Sequence, residues 1–270
     1  MAISPLRTIG DTERGILPPH ISFSSMSEFM TCPEKWRQNR LVGIDRSPSD
    51  ALATGSAVHA GIGELYQAVI NGDKVASTSA IEQRIAPIIE ESLDKTLGTV
   101  MLDADVWEQS TRLVETYWKD RPRHIKPVSV EQEIRVQVPD SDIFLKGFVD
   151  LVAESSIVEI KTSGRTVNTP TGAWKVQAWI YQNAIQLPVE WHVLVKTKEP
   201  KLVTSAALSV PFDKTVADSA MRLVSSTLER IQQLYADRGP DQEWPLSGVL
   251  HPWACGSCDA RKLCIYGDAS

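Results

Sequence analysis

Gly147-Phe148-Val149-Asp150, followed after six residues by Ile157-Val158-Glu159-Ile160-Lys161-Thr162, decides how the fold is read. Side chains alternate faces along a strand. Glu159 and Lys161 therefore point one way, and Val158 and Ile160 the other; Val149 and Leu151 flank Asp150 in the same manner. If the two segments are antiparallel neighbours, Asp150 and Glu159 meet across the pair. Two carboxylates converging beside an apolar core repel unless a cation joins them. Oxygen ligands of this kind suit Mg²⁺ or Mn²⁺. The alternative is an ordinary surface ion pair between Glu159 and Lys161, which is close to neutral for stability.

An E-x-K triplet decides nothing by itself, since about one is expected by chance in a chain of this length. A second occurs at Glu199-Pro200-Lys201, at a proline break and with no acidic partner on a preceding strand. Upstream of Asp150, Val128, Val130, Ile134, Val136 and Val138 predict a further strand. Its Glu131 and Glu133 read as a solvated face, although either is placed to approach the carboxylates. Downstream, a helix is expected over 171–186, with Gln177 and Tyr181 at i and i+4 on one face. Strands follow near 191–196 and 202–210, then a long helix over 214–236. Strands, one helix and more strands make an α/β core.

The N-terminal half reads as helical. A helix opens at Ser24 or Ser25 and breaks or restarts at Pro33. Another, after Gly55, carries His59 and ends near Asn71-Gly72. Two more cover 78–97 and 103–119. Residues 1–20, with Pro5, Gly10, Gly15, Pro18 and Pro19, read as an extended, flexible arm.

The 270 residues are 42% hydrophobic and 23% charged, the proportions of a globular chain. No apolar run reaches bilayer length. Met1 to Gly15 lacks a signal-peptide core, so a cytoplasmic protein is expected. No GxxxxGK[ST] run is present, which excludes a P-loop motor. The net charge of −6 argues weakly against a nucleic-acid partner, but it is unevenly spread. Asp73 to Glu115 holds nine acids and four bases, whereas Tyr117 to Lys201 holds ten acids and twelve bases.

The four cysteines are Cys32 and a terminal C-x2-C-x5-C at Cys255, Cys258 and Cys264. Three thiols so spaced near the C-terminus, with one distant partner, indicate a metal or cluster site rather than disulfides. Four thiolates suit zinc as well as an iron–sulfur cluster. His251 is near enough in sequence to join a zinc site, although four thiolates suffice without it.

Taken in order, His59, Gly147-x-x-Asp150, Glu159-x-Lys161-Thr162 and Gln177-x3-Tyr181 resemble the RecB-like branch of the PD-(D/E)XK nuclease superfamily. The opening Ser22-x-Ser24-x-x-x-x-Phe29-x-x-Cys32-Pro33-x-x-Trp36 is similar to that branch's N-terminal signature. The cysteine layout is similar to its iron–sulfur members, among them the AddB nuclease domain and the CRISPR-associated RecB-like exonucleases. AddB and RecB are fused to helicase-type regions, which these residues lack.

The resemblance implies an α/β, restriction-endonuclease-like core: a mixed sheet flanked by helices, a helical N-terminal half and a cysteine tail. It would form a single nuclease domain over 21–270. Its parts would be helical (21–125), catalytic (126–212), a long helix (213–250) and an iron–sulfur tail (251–270). It implies metal ligation by His59, Asp150, Glu159 and the Ile160 carbonyl. Lys161 would act on the attacking water and the phosphate, and Gln177 and Tyr181 would steady it. Cys32, Cys255, Cys258 and Cys264 would hold a structural [4Fe–4S] cluster, with zinc as the alternative.

The expected activity is Mg²⁺- or Mn²⁺-dependent DNA exonuclease cleavage at single-stranded ends, with Trp174 and Trp179 either stacking on unpaired bases or packing the Gln177 helix against the core. Repair, recombination, phage-type replication and CRISPR adaptation all use such enzymes, so their proteins are the expected partners, in a bacterial, archaeal or phage-infected cytoplasm. Two other functions remain: a non-catalytic DNA-end binder or assembly subunit keeping the fold, and a sequence-specific endonuclease. The intact Asp150, Glu159 and Lys161 weigh against the first, and the lack of a separate recognition domain weighs against the second.

Overall fold

The computed structural model describes residues 15–44, 49–75, 78–97, 104–250, 252–256 and 258–264. His251, and most of the arm expected over residues 1–20, lie outside them. The elements in chain order are β1 (His20–Ile21), α1 (Phe23–Thr31), α2 (Pro33–Arg37), α3 (Asp50–Ile70), α4 (Thr78–Leu97), α5 (Ala104–Asp120), β2 (Pro127–Gln137), β3 (Phe144–Ala153), β4 (Ile157–Ser163), α6 (Gly172–Ala184), β5 (Val189–Val195), β6 (Lys201–Val203), β7 (Ser209–Val210), α7 (Lys214–Arg238) and α8 (Pro252–Gly256). Among the described residues no helix is long and apolar enough to cross a membrane.

Contacts group the chain into two units. One runs from the start of α3 to Ile134 and from Phe148 to Ala217; the other combines the described residues before Pro48 with Arg135–Gly147 and those from Asp218 onward.

In the first unit α3 starts at Asp50, earlier than the periodicity suggests, because the Ser49 side chain accepts the Leu52 N–H. Ile62 and Leu65 of α3, Ile85, Ile89 and Leu93 of α4, and Leu113 and Val114 of α5 are fully buried. They form one cluster with Leu151, Val158, Ile160 and Leu194 of the sheet. Val158 and Ile160 thus face this core, which turns Glu159 and Lys161 to the other side of β4.

The sheet is mixed. β3 and β4 pair antiparallel with Leu151 against Val158. β4 and β5 pair parallel with Glu159 against Trp191, joined by α6 as a βαβ crossover. The single strand expected over 202–210 is two short ones, β6 and β7, both antiparallel to β5. Between them a 3₁₀ turn, Ala206–Leu208, carries Leu208 into the interior at 0% exposure, and burying that side chain interrupts the ladder.

Helices α3 and α5 meet at Gly61, where a β-carbon would lie 2.9 Å from Val114 Cγ2. Val114 is buried and β-branched, so it has little freedom to retreat. Gly61→Ala should gain about 1 kcal/mol of helix propensity but lose about 1–3 kcal/mol to overpacking. The expected net result is a thermal midpoint a few degrees lower; a raised midpoint in a circular-dichroism melt would contradict this packing.

In the second unit Ser22, rather than Ser24 or Ser25, caps α1 by accepting the Ser25 N–H. Cys32 is extended, and Pro33 occupies the first turn of α2, which gives the break expected there. Trp36 stacks on Trp244 at 5.5 Å, and Phe29 meets both edge-on. The buried carboxylate of Glu34 accepts from Arg37 Nε at 2.8 Å and Nη2 at 2.6 Å, from Gln38 Nε2 at 2.8 Å and from the Trp244 backbone N–H at 2.7 Å. A charge so far from water is tolerated only when its lone pairs are filled in this way.

Candidate active site

The β3–β4 register that sets Leu151 against Val158 also sets Asp150 opposite Glu159. Beyond Leu151 the side chain of Asp150 replaces the main-chain ladder, its Oδ2 accepting the Ile160 N–H at 2.7 Å. Its Oδ1 lies 3.0 Å from His59 Nδ1 of α3. Burial opposes the Asp150 charge, but His59, Lys161 and the Ile160 N–H outweigh it and hold the carboxyl below its ordinary range. Burial likewise works to lower the His59 pKa, and Asp150 reverses this, so the imidazole is raised.

Lys161 Nζ donates to Glu159 Oε2 at 2.8 Å and to Gln177 Oε1 at 3.2 Å. Gln177 Nε2 donates to the Tyr181 hydroxyl at 3.0 Å, and that hydroxyl donates to the Phe148 carbonyl at 2.9 Å. Gln177 and Tyr181 are one turn apart on α6 and so meet β4 and β3 together. Glu159 is 1% exposed; burial first, then the Asp150 charge, pushes its carboxyl up to about 7 against the pull of Lys161. Its second oxygen, Oε1, is buried with no hydrogen-bond partner. Burial works to lower the Lys161 pKa, but Glu159 and Asp150 raise it.

Glu131 joins this group. Its ligand oxygen, one His59 nitrogen and one Asp150 oxygen all lie within 4.8 Å of one another. Burial and then the charge of Asp150 push Glu131 up to about 7. Strand alternation puts Glu131 and Glu133 on a single face, but Glu131 has φ +46°, a left-handed conformation inside β2. Such a kink is uncommon for a residue with a side chain and re-aims it. Glu133 is exposed. No residue type in Val130-Glu131-Gln132-Glu133 announces the kink, so the sequence carries no signal that separates the two acids.

The structure gives two hydrogen-bonded sets, His59 with Asp150 and the Ile160 N–H, and Glu159 with Lys161, Gln177 and Tyr181, which the β3–β4 register sets side by side, with Glu131 close to His59 and Asp150. The second E-x-K triplet is elsewhere: Glu199 and Lys201 are exposed. Trp174 is half-buried and stacks at 6.3 Å on Trp191, which is 1% exposed. Trp179 is half-buried on the same helix.

A cation fits here on the evidence of the donors. Three oxygen and nitrogen ligands converge, two carboxyls are raised and a third is lowered from the ordinary range, and one buried carboxylate oxygen is orphaned. Glu131, Glu159 and His59 all bind protons more tightly in the folded chain. Between pH 5 and 8 the folded state therefore holds more protons than the unfolded one, and stability falls as pH rises. Asp150, shifted downward, loses its contribution only as pH falls through the acid range below that window. The melting midpoint of the protein in EDTA should decline from pH 5 to pH 8, with a shallower slope in Glu159→Gln. A rise over that interval would contradict the burial of these acids.

The cysteines sit in the second unit. Cys32 is buried, and the other three thiols are half-buried and unoxidised. A β-carbon on Gly248 would lie 3.0 Å from Cys32 Cβ and 3.1 Å from its sulfur, so this glycine leaves space beside the thiol. Cys255 Sγ donates to the Gly248 carbonyl at 3.2 Å. Burial raises the Cys258 thiol; Lys35 opposes this, and the neighbouring Cys32 and Cys255 add to it. Cys258 and Cys264 bracket the 3₁₀ turn Asp259–Leu263.

A comparison with curated proteins gives no match. Among solved structures, the chain is similar to a crystal structure described as "Putative exonuclease" from Eubacterium rectale, with a TM-score of 0.54 and 13% identity over 81% of this chain and 82% of that one. A structure described as SSO0001 is 16% identical over 91% of this chain and 98% of that one, at a TM-score of 0.38. The model of the PD-(D/E)XK nuclease superfamily matches residues 20–265. With a mixed sheet flanked by helices beneath a His–Asp–Glu–Lys cluster, a match of that length settles the family: the chain belongs to the PD-(D/E)XK nuclease superfamily.

Proposed function

We propose that the protein is a divalent-cation-dependent DNA exonuclease of the RecB-like, iron–sulfur type. The observation that carries the cation is the orphaned Glu159 Oε1, beside a charged Asp150 that itself meets His59 and Glu131. His59, Glu131, Asp150 and Glu159, with the Ile160 carbonyl, would hold Mg²⁺ or Mn²⁺. The bound cation supplies an acidified water and a positive charge against the scissile phosphate.

The chain's own residues do the rest. Lys161 is held at Glu159 and Gln177, so its ammonium is pre-aimed at the carboxylate cluster and stabilises charge developing on phosphate oxygens. Tyr181 fixes Gln177 and, through the Phe148 carbonyl, ties α6 to the strand that bears Asp150. His59 and Asp150 orient each other and keep the Asp150 carboxylate charged.

Cys32, Cys255, Cys258 and Cys264 would hold a [4Fe–4S] cluster, for which the free thiols and the space at Gly248 are suited. Zinc is the alternative occupant. A cytoplasmic setting among repair, recombination, replication or CRISPR-adaptation proteins follows from this assignment.

The deciding test is digestion of end-labelled single- and double-stranded DNA with Mg²⁺, Mn²⁺ or EDTA. Laddering from one end that requires a cation supports the assignment. Cleavage of a closed circle would instead point to an endonuclease. DNA binding without cleavage in either cation would point to an end-binding subunit.

A further inference from the structure

Gly248 lies in the 3₁₀ turn Ser247–Leu250, and its own backbone does not call for glycine, since its φ is not left-handed. Alanine would hold such a turn with a smaller loss of conformational entropy. What opposes a side chain here is Cys32. A β-carbon at 248 would lie 3.0 Å from Cys32 Cβ and 3.1 Å from its sulfur, and 3.9 Å from Cys255 Sγ. The two sulfurs thus flank a single point, and those last two distances together bound their separation. The Gly248 carbonyl also accepts from Cys255 Sγ at 3.2 Å, so one residue meets both cysteines.

Both backbones are pinned. The segment leading to Gly248 is tied to the α1–α2 junction at three places. The Trp244 N–H donates to Glu34 Oε2 at 2.7 Å, the Glu34 N–H to the Pro245 carbonyl at 3.3 Å, and Ser247 Oγ to the Thr31 carbonyl at 3.3 Å. Cys32 is held from both sides: its N–H donates to the Glu28 carbonyl at 2.9 Å, and its carbonyl accepts the Trp36 N–H at 3.1 Å. A methyl group at 248 is therefore not absorbed by sliding either chain. It displaces the Cys32 sulfur or turns the 247–250 segment, and either motion changes the spacing of Cys32 and Cys255.

We propose that Gly248 is the positioning residue of the thiol site: the close approach of its main chain sets Cys32 and Cys255 at the spacing that lets one bound metal group take both. This rests on the thiolate-bound cluster, or zinc, assigned above. Residues that orient ligands without touching the metal change its affinity by about ten- to a hundredfold.

The test uses the full chain purified without oxygen, assayed for bound iron and zinc and for the EDTA concentration that exposes half of its thiols to a thiol-reactive dye. Gly248→Ala should lower that concentration about ten- to a hundredfold, at temperatures well below its melting midpoint. Gly256→Ala is the control: it adjoins Cys255, but a β-carbon there meets nothing within 4 Å, so it should match wild type. If Gly248→Ala lacks the near-ultraviolet circular dichroism of the Trp36–Trp244 stack, adding Cys32→Gly removes the clash and should restore that signal. A pair that stays unfolded would place the role of the glycine elsewhere and overturn the inference. Gly248→Ala that keeps its metal within about twofold of wild type, or equal weakening in Gly256→Ala, would overturn it alone. Wild-type chain with no iron or zinc and four freely reactive thiols would overturn it together with the metal assignment.

Discussion

Asp150→Asn is expected to leave a folded chain that cuts DNA on the order of 10³-fold more slowly, or not measurably. Asparagine keeps an acceptor for the Ile160 N–H, so the β3–β4 junction survives while the negative charge facing His59 is lost. Glu159→Gln should be similarly inactive, since it neutralises the other central carboxylate and leaves Lys161 without its ion-pair partner. Lys161→Ala should also lose turnover, but a Mn²⁺-induced rise in melting temperature should persist, because lysine is not a ligand. If either carboxylate variant cuts within a few-fold of wild type, the assignment of the site is wrong. If Lys161→Ala abolishes the Mn²⁺ response, the division of labour between ligands and ammonium is wrong. Lys201→Ala, at the exposed second triplet, should cut normally.

The second large effect concerns the thiols. Protein prepared without oxygen is expected to be brown, with broad visible absorbance that bleaches on iron chelation. Any one of Cys32→Ala, Cys255→Ala, Cys258→Ala or Cys264→Ala should degrade that signal, since the chain has only four cysteines. A tie between Cys32 and the C-terminal thiols closes a loop of more than two hundred residues. By the chain-entropy model such a closure contributes about 5 kcal/mol, so the variants should melt several degrees lower. The loss should be partial, because the Trp36–Trp244 stack and the Glu34 carboxylate hold the same two segments together without any metal. Colourless protein with stoichiometric zinc would replace the cluster with zinc. Stable, metal-free protein with four reactive thiols would remove both.

Much of the centre was legible because its geometry is local. The alternation around Asp150 and Glu159, and the one-turn spacing of Gln177 and Tyr181, follow from strand and helix periods alone. What was not legible depends on contacts made at long range or on one backbone angle. Glu131 reads like Glu133 until a φ of +46° separates them. The strand expected over 202–210 is divided by the 3₁₀ turn Ala206–Leu208, in which Leu208 is fully buried, and no local pattern encodes that break. For Trp174 the sequence leaves base stacking and core packing both open, and only the β4–β5 register that places Trp191 against it shows the packing contact. Glu34, an unremarkable acid in sequence, is 2% exposed because Arg37, Gln38 and a backbone N–H two hundred residues away fill its lone pairs.

That last arrangement constrains the order in which the chain can mature on the ribosome. Glu34 emerges early, but the amide that completes its coordination belongs to Trp244, and the ring that covers Trp36 is the same residue. Until that late segment leaves the exit tunnel, α1 and α2 hold a carboxylate and an indole with partners missing, surfaces of the kind that nascent chains leave open to aggregation or to chaperones. The residues of the unit that runs from α3 to Ile134 and from Phe148 onward leave the tunnel earlier, since they end at Ala217. Nascent chains stalled short of residue 244 should therefore show protease-resistant α3–β7 fragments and protease-sensitive α1–α2 segments, and resistance of α1–α2 at that stage would refute this order.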